Sequence, residues 1–588
     1  MAGVPEREAI AAGLLAENGN GPTKTEQLKL GSGYLREPLA SELENEQAFF
    51  SNDAVSLLKF HGSYQQDNRD HRIRGQERDW GMMLRLRTPA GRVPAQLYLA
   101  LDAIADRYGN GSLRATTRQT FQLHGIAKQD LRTVLGTIVR NLGFSLGACG
   151  DINRNVMAPA APFAGKGYPA ARRLADEIAV LLTARAAMGA YLDLWVNGEK
   201  RYRIRSNPKV SRAKRFDATP VVHSGDKWEP LYGARYLPRK FKVAVTVPGD
   251  NSVDLLTQDL GLVVFTDLGG RLRGANVYVG GGMGRTHNKE ETFARLADPL
   301  GYVTGTQLLD LVKAIVAIQR DHGDRRNRLH ARFKYLIHDQ GLQWLREQLK
   351  RYFNGTIEPL RREPTPILED YLGWQRQGDG KWFVGLPVLT GRIEGNLKQL
   401  LLRLVSKYQP EIRLTPNQDI LLCQIAANQK ADIQQQLVAA GLADPANPDR
   451  LARHAIACPA LPTCGLAITE SERSLPDVLS RIEALLRAEA IDQTVLVRMT
   501  GCPNGCARPY MAEIGLVGSV PGCYQLWLGG TPGLTRLARP ILDRMPLERL
   551  EHTLQPLLRD WKQDGPQHSF GDFCSGLDDA ALLARLGR

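Results

Sequence analysis

The chain has 588 residues, too many for one ordinary hydrophobic core, so several compact units are expected. Eight cysteines are few for that length, and the first residues carry Glu6, Glu8 and Glu17 with neither a basic start nor an apolar core; a reduced, cytoplasmic protein is expected rather than a disulfide-stapled secreted one. No apolar run approaches a membrane span, and the net charge of +14 leaves a nucleic acid, an acidic protein partner or anionic ligands as candidates.

Residues 1 to about 45 lack sustained periodicity and read as a flexible or loosely docked extension. From Leu57 onward, helical stretches such as Ala95 to Tyr108 alternate with short strands, which gives a mixed α/β chain. In M-L-R-L-R, Arg85 and Arg87 share the face opposite Leu84 and Leu86. The run L-R-A-T-T-R-Q-T-F-Q-L-H reads as one alternating strand, with Arg114, Thr116, Arg118, Thr120, Gln122 and His124 on one face. Leu113, Ala115, Phe121 and Leu123 take the other. Further on, R-K-F-K-V-A-V-T-V sends Lys240 and Lys242 to one face and Phe241, Val243, Val245 and Val247 to a core. A solvated edge face explains any one of these strands. Three strands with paired cations also suit a ligand bearing several carboxylates, or an anionic substrate, provided the pocket is sheltered. Unit charges about 4 Å apart attract by roughly 1 kcal/mol in water and roughly 4 at an effective dielectric of 20.

An internal repeat follows. Gly91-Arg92-Val93, a helix and R-A-T-T-R-Q from Arg114 resemble Gly391-Arg392-Ile393, a helix and R-L-T-P-N-Q from Arg413, at offsets of 391 − 91 = 300 and 413 − 114 = 299. A weaker echo links N-V-Y-V-G-G-G from Asn276 to Y-Q-L-W-L-G-G-T from Tyr524 and suggests that the second halves are duplicated too. Pro364, Pro366 and the Gln377-Gly378-Asp379-Gly380 turn mark the return to the first type of unit.

The last third holds Cys458 and Cys464 in A-C-P-A-L-P-T-C-G, then Cys502 and Cys506 in T-G-C-P-N-G-C-A-R-P-Y. Neither the Cys-x5-Cys nor the Cys-x3-Cys spacing matches the C-x2-C pairs typical of structural zinc. Four thiolates with proline and glycine around them suit an iron-sulfur cluster. Cys149, Cys423, Cys523 and Cys574 each stand alone and read as small buried residues without a role. The glycine run at Gly280 to Gly284 lacks the third glycine of a dinucleotide fingerprint, so electrons would have to come from a partner.

The two cysteine pairs, with K-F-H-G-S-Y-Q-Q, T-T-R-Q-T-F-Q-L-H-G, D-I-N-R-N-V, L-P-R-K-F-K and Y-V-G-G-G-M-G-R-T-H, resemble the siroheme and 4Fe-4S nitrite and sulfite reductases, in particular the ferredoxin-dependent assimilatory sulfite reductases. The resemblance implies a pseudo-twofold α/β (α+β) fold: an extension over 1–50, ferredoxin-like half domains over 51–148 and 346–445, and siroheme-domain halves over 149–345 and 446–588. By the same resemblance, Arg85, Arg154, Lys240 and Lys242 would bind sulfite and deliver protons. Arg114, Thr116, Arg118, Gln122, His124, Arg239 and Asn504 would contact the siroheme. Cys458, Cys464, Cys502 and Cys506 would hold the 4Fe-4S cluster, with Cys506 shared by the siroheme iron. Gly465 stands where many relatives carry proline, which leaves the ligands intact.

The expected reaction is the six-electron reduction of sulfite to sulfide in sulfate assimilation, fed by reduced, acidic ferredoxin, in a monomer with no membrane attachment. A ferredoxin-nitrite reductase is the near alternative, and Lys242 favours sulfite, because nitrite reductases of the family tend to carry asparagine there. A basic nucleic-acid-binding metalloprotein is the alternative from another class. It fits less well, because the cations alternate on strands rather than forming a tail or a recognition helix, which leaves nucleic acid at most a nonspecific side activity.

Overall fold

The computed structural model describes residues 22–165, 167–185, 194–196, 199–202 and 219–587. Apolar residues recur with period two in its strands and on one face of its helices, and among the described residues four large sheets and one two-stranded sheet, Leu194–Val196 with Glu199–Tyr202, result.

The first half domain is a five-stranded antiparallel sheet in the order Ser63–Asp67, Trp80–Arg85, Phe121–Ile126, Leu113–Ala115 and Arg392–Ile393. The second has the same order: Gly373–Arg376, Trp382–Leu386, Ile420–Ile425, Glu411–Leu414 and Arg92–Val93. The edge strands are exchanged. Arg392 pairs with Arg114 and Ile393 with Leu113, while Arg92 pairs with Arg413 and Val93 with Ile412. Each half thus covers the open edge of the other, which removes two exposed hydrogen-bonding rims. Helices Ala95–Tyr108 and Gly395–Tyr408 share one apolar core across the exchange. Lys398 adds ion pairs to Asp102 (3.4 Å) and Asp106 (2.7 Å).

Two features hold the exchange at equivalent places. Gly91 and Gly391 have φ of 73° and 77°, and a Cβ there would stand 2.4 Å from the Leu414 carbonyl and 2.2 Å from the Ala115 carbonyl. The buried amides of Gln119 and Gln418 donate to those same two carbonyls, at 3.0 and 3.2 Å.

The other two sheets repeat as well. One runs Val243–Thr246, Leu260–Thr266, Leu272–Val279 and Asp298–Thr304; the other runs Ile456–Ala457, Val497–Thr500, Ile514–Val520, Cys523–Leu528 and Arg539–Pro546. In both, a parallel pair is followed by two antiparallel strands. Asn153 and Met157 bridge in parallel to Phe241 and Ala244 where Ile456 and Ala457 pair with Arg498 and Met499. The echo between Asn276 and Tyr524 therefore falls on corresponding strands. Residues 158–163 fill the counterpart of the cationic hairpin: Ala160, Ala161 and Phe163 pack with Leu421, Cys423, Tyr371 and Phe383. The repeat offset of 299 sets Leu421 against Gln122, Cys423 against His124 and Asn417 against Arg118, so one half keeps polar groups where the other closes into apolar core.

Two expectations change. Residues 113–126 form a hairpin and not one strand, because Gln119 takes φ of 54° in the turn. Residues 22–45 are firmly docked, with Glu26, Lys29, Leu35 and Leu39 buried, while 1–21 lie outside the described residues. Helical backbone broken at Gly341, with φ of 79°, spans Phe333–Tyr352. Among the described residues, no helix is long and apolar enough to cross a membrane.

Replacing Gly391 by alanine forces a side chain into left-handed backbone and against the Ala115 carbonyl. The expected cost is about 2 kcal/mol or more, read as a lowered thermal unfolding midpoint.

Candidate cofactor and anion site

Cys502 and Cys506 lie on the turn after strand Val497–Thr500, and Cys458 follows the short strand Ile456–Ala457 beside it. Thr500 Oγ1 and the Gly501 amide both donate to Cys458 Sγ, at 3.4 and 3.3 Å. Cys464 comes next on a loop clamped by Arg69 of the first half domain, which donates to the carbonyls of Cys464 (2.7 Å) and Ala467 (2.9 Å). Cys458 and Cys502 are buried, Cys464 is half-buried and Cys506 is exposed.

Burial raises the thiol pKa values of Cys458, Cys464 and Cys502, that of Cys464 to about 11, and neighbouring cysteines add to each shift. Among the described residues, no three His, Cys, Asp or Glu side chains converge tightly enough for a single ion. Four cysteines that feel one another's charge are a donor set that suits an iron-sulfur cluster.

The opposite wall comes from three other segments. Arg85 ends strand Trp80–Arg85 and donates to Cys149 Sγ at 3.3 Å; with its amide oxygen turned inward, Gln122 accepts from Arg85 Nε at 3.0 Å. Burial opposes the Arg85 charge, but Cys149, Tyr64 and Cys506 more than offset this and raise its pKa. Arg114, cross-strand from Gln122, pairs with Glu472 and donates to the Ala457 carbonyl at 3.0 Å, so it braces the strand before Cys458. His124 is buried near Arg392, Arg114 and Arg85; burial and those charges hold its pKa well below the usual value, and its Nε2 has no partner. Thr116 accepts from the Arg118 and Thr120 amides at 3.3 Å, which fixes the hairpin turn.

Arg118 leaves that turn to donate to Gln258 Oε1 (2.6 Å) and to the Asn155 carbonyl, with Nε unpartnered. Arg154 donates to the Gly150 carbonyl at 3.0 Å. Lys240 and Lys242 precede strand Val243–Thr246, and Phe241 between them enters the core as alternation predicts. Burial, then Arg332, Arg239 and Arg154, push the Lys240 pKa down to about 7. Burial, Lys240 and Arg118 lower that of Lys242 further, against the pull of Asp259. Arg239 stands at the rim, 3.6 Å from Asp151, and Asn504 donates to Cys506 Sγ at 3.4 Å.

Arg85, Arg114 and Lys240 lie within electrostatic reach of Cys506, Gln122 holds Arg85, and Asn504 bonds to the thiol, while Arg118, Arg154 and Lys242 are linked to that group through their neighbouring charges. Arg114, Thr116 and Arg239 also make supporting contacts. Arg87, on the same predicted face as Arg85, leaves the site and donates to the Ala179 carbonyl at 2.8 Å.

Several site residues had no signal in the sequence. Arg332 pairs with Asp259 at 2.9 Å, and Lys334 donates to the carbonyls of Gly282 (3.1 Å) and Gly284 (2.8 Å); both close the glycine run. Cys149, read as an inert core residue, lies beside Arg85. Deepest of all, Asp254 pairs with Arg498 (3.1 Å) and with Arg508, all three buried. Arg508 also donates to the Thr117 carbonyl (3.2 Å) and the Pro416 carbonyl (3.1 Å), so the residue two positions after Cys506 touches both half domains. Replacing Asp254 by asparagine would leave two guanidinium groups facing each other without an anion. The expected loss is about 3 to 5 kcal/mol, measured as a fall in thermal midpoint.

Two family models match this chain. The nitrite and sulphite reductase 4Fe-4S domain covers residues 202–357, and the nitrite/sulfite reductase ferredoxin-like half domain covers 74–139 and 375–440. The four cysteines lie outside the first match. Over 567 residues the chain is 56% identical to the sulfite reductase (ferredoxin) of Synechococcus elongatus, covering 95% of this chain and 90% of that one. Over 587 residues it is 40% identical to the sulfite reductase (NADPH) hemoprotein beta-component of a Methylobacterium species, covering 97% and 92%. The Mycobacterium tuberculosis NirA protein shares the fold, with a TM-score of 0.73 at 22% identity over 95% of this chain and 98% of that one. On the length and level of the sequence matches, the chain belongs to the nitrite and sulphite reductase family.

Proposed function

We propose that this chain reduces sulfite to sulfide by six electrons, with reduced ferredoxin as donor. The observation that carries the reading is the cluster of buried and half-buried cations, Arg85, Arg118, Arg154, Lys240 and Lys242, of which Arg85 and Lys240 interact with the exposed thiol of Cys506. The 56% identical relative supports both sulfite and ferredoxin.

The residues present fit a 4Fe-4S cluster held by Cys458, Cys464, Cys502 and Cys506, and a siroheme held on Cys506. Unpartnered buried donors at His124 Nε2, Arg118 Nε and Arg332 Nε suit a carboxylate-bearing macrocycle. When bound, these groups supply single electrons and an iron centre for the anion.

The protein's own part is electrostatic and protonic. Arg85 and Arg154 are held by Gln122 and by the Gly150 carbonyl, so their guanidinium groups are oriented before an anion arrives. Lys240, with a pKa near neutrality, both attracts the anion as an ammonium and gives up a proton at little cost as oxygens leave as water. Lys242 takes the same roles beside it. The loop 68–79 is bonded through Arg69 to the half-exposed Cys464 segment. With exposed Arg74, Arg78 and Ile73, it offers an acidic electron carrier a landing place next to the cluster.

The deciding experiment is turnover of sulfite and nitrite by the purified protein with reduced ferredoxin, for the natural chain and for Lys242→Asn. Sulfite is expected to have the higher kcat/KM in the natural chain, and the variant should shift the ratio about tenfold toward nitrite. A natural chain that prefers nitrite would transfer the proposal to that anion. A second expectation concerns pH. The Lys240 ammonium predominates below about pH 7 and is lost above it, so the KM for sulfite should rise with pH through neutrality. Lys240→Met should flatten that dependence in the same kinetic series.

A further inference from the structure

The N-terminal helix reaches the anion site through a buried charge. Helix Lys24–Gly31 presents Glu26 and Lys29 inward, 3% and 1% exposed. Lys29 Nζ pairs with Glu26, lies 3.7 Å from the Asp151 carboxylate, and donates to the Leu237 carbonyl at 3.0 Å. Asp151 is three residues before Arg154, and Leu237 is three residues before Lys240. The two loops that carry the anion-binding cations thus meet at one ammonium from outside both of them.

The surrounding bonds make that meeting point stiff. The loops are joined by three main-chain bonds: Leu237 N to Asp151 O (3.1 Å), Phe241 N to Ile152 O (3.1 Å), and Arg154 N to Phe241 O (2.8 Å). Asp151 also takes Arg328 at 2.8 Å and Arg239 at 3.6 Å. Glu26 takes Arg325 at 2.5 Å, and Arg325 donates to the Tyr236 carbonyl at 2.7 Å. Downstream, Tyr34 donates to the Asp226 carboxylate at 2.9 Å and Leu35 is fully buried, so the helix is tethered at its far end as well. Three guanidinium groups converge here on two carboxylates, and Lys29 is the group that links those carboxylates to each other. Removing its charge leaves the Asp151 carboxylate paired only with Arg328 and Arg239 at the rim, so that the three main-chain bonds alone hold the loop against their pull.

We infer that Lys29 is a positioning residue: with Asp151 and the Leu237 carbonyl it fixes the register of the Arg154 loop against the Lys240 and Lys242 segment, and so sets the affinity for the anion. The inference rests on the function proposed above for those cations.

The test uses the full chain with Lys29→Met and with Lys29→Met combined with Glu26→Gln, so that loss of the ammonium is compared with and without the Glu26 charge, which Arg325 still pairs in the first variant. Both variants should raise the KM for sulfite about tenfold or more, with the KM for ferredoxin changed by less than about twofold. Hydrogen exchange, which needs no turnover, should speed up at residues 150–156 and 236–243 and stay as in the natural protein across helix Leu550–Asp564. Unchanged exchange in those two loops would overturn the positioning role whatever the kinetics show. Faster exchange with an unchanged sulfite KM would overturn its bearing on the anion, and exchange that speeds up everywhere would reduce Lys29 to a stabilising residue. If the natural chain turns over neither anion, the functional reading fails, and the exchange data still decide whether Lys29 orders the loops.

Discussion

The whole assembly hangs on one buried ion pair between residues that the repeat makes equivalent. Within the siroheme-type sheets the offset is 514 − 260 = 254, and Arg508 and Asp254 are related by the same 254. Each caps a short 3-10 turn in left-handed backbone, with φ of 55° and 49°. They lie where the two halves meet, so equivalent positions carry a cation facing an anion. Arg508 reaches onward to the Thr117 and Pro416 carbonyls, themselves related by the 299-residue repeat. A single guanidinium therefore contacts both members of one symmetric pair and its own counterpart in another. Burying such charges costs several kcal/mol per ion unless geometry and further bonds compensate. Arg498, in the middle of a strand, brings a second cation to the same carboxylate. This spends stability to hold the Cys502–Cys506 turn in one place relative to all four sheets.

A symmetric frame carries an asymmetric site, and the reason is local. On one side of the pseudo-twofold axis the hairpin keeps Arg118, Gln122 and His124, and cationic loops stand over it. On the other, Leu421 and Cys423 pack with Phe163 and Tyr371, and Arg413, the counterpart of Arg114, is taken up by Glu411 and the Ala160 carbonyl. The second half thus uses the same backbone as core.

Charge within the site is expensive to maintain, and its support explains much of the surrounding structure. Lys240, Lys242 and Lys334 all have lowered pKa values because burial and neighbouring cations oppose their charge. Asp259 moderates this by accepting from the Lys242 amide (2.9 Å) and pairing with Arg332. Asp151 does the same for Arg239 and Arg328. The outcome is a cluster of cations held together by a few buried carboxylates, with the Lys240 pKa drawn down to about 7.

The cysteine spacing, the duplicated G-R-[VI] and hairpin motifs, and the alternation around Arg85, Arg114 and Lys240 were legible in the sequence, because each depends on residue type at short, regular separation. The turn inside residues 113–126 was not, since one left-handed glutamine breaks a pattern whose alternation continues on both sides. Nor were the strand exchange, the docking of Lys29, the closeness of Cys149 to Arg85 or the Asp254 triad. These join residues hundreds of positions apart, such as Arg508 with Asp254 and Lys29 with Leu237, and no local pattern records them. By itself the sequence determined the family, the ligand types and the repeated elements. Only the tertiary structure decided which buried charges pair with which, because that depends on how desolvated groups find partners when the large sheets close on one another.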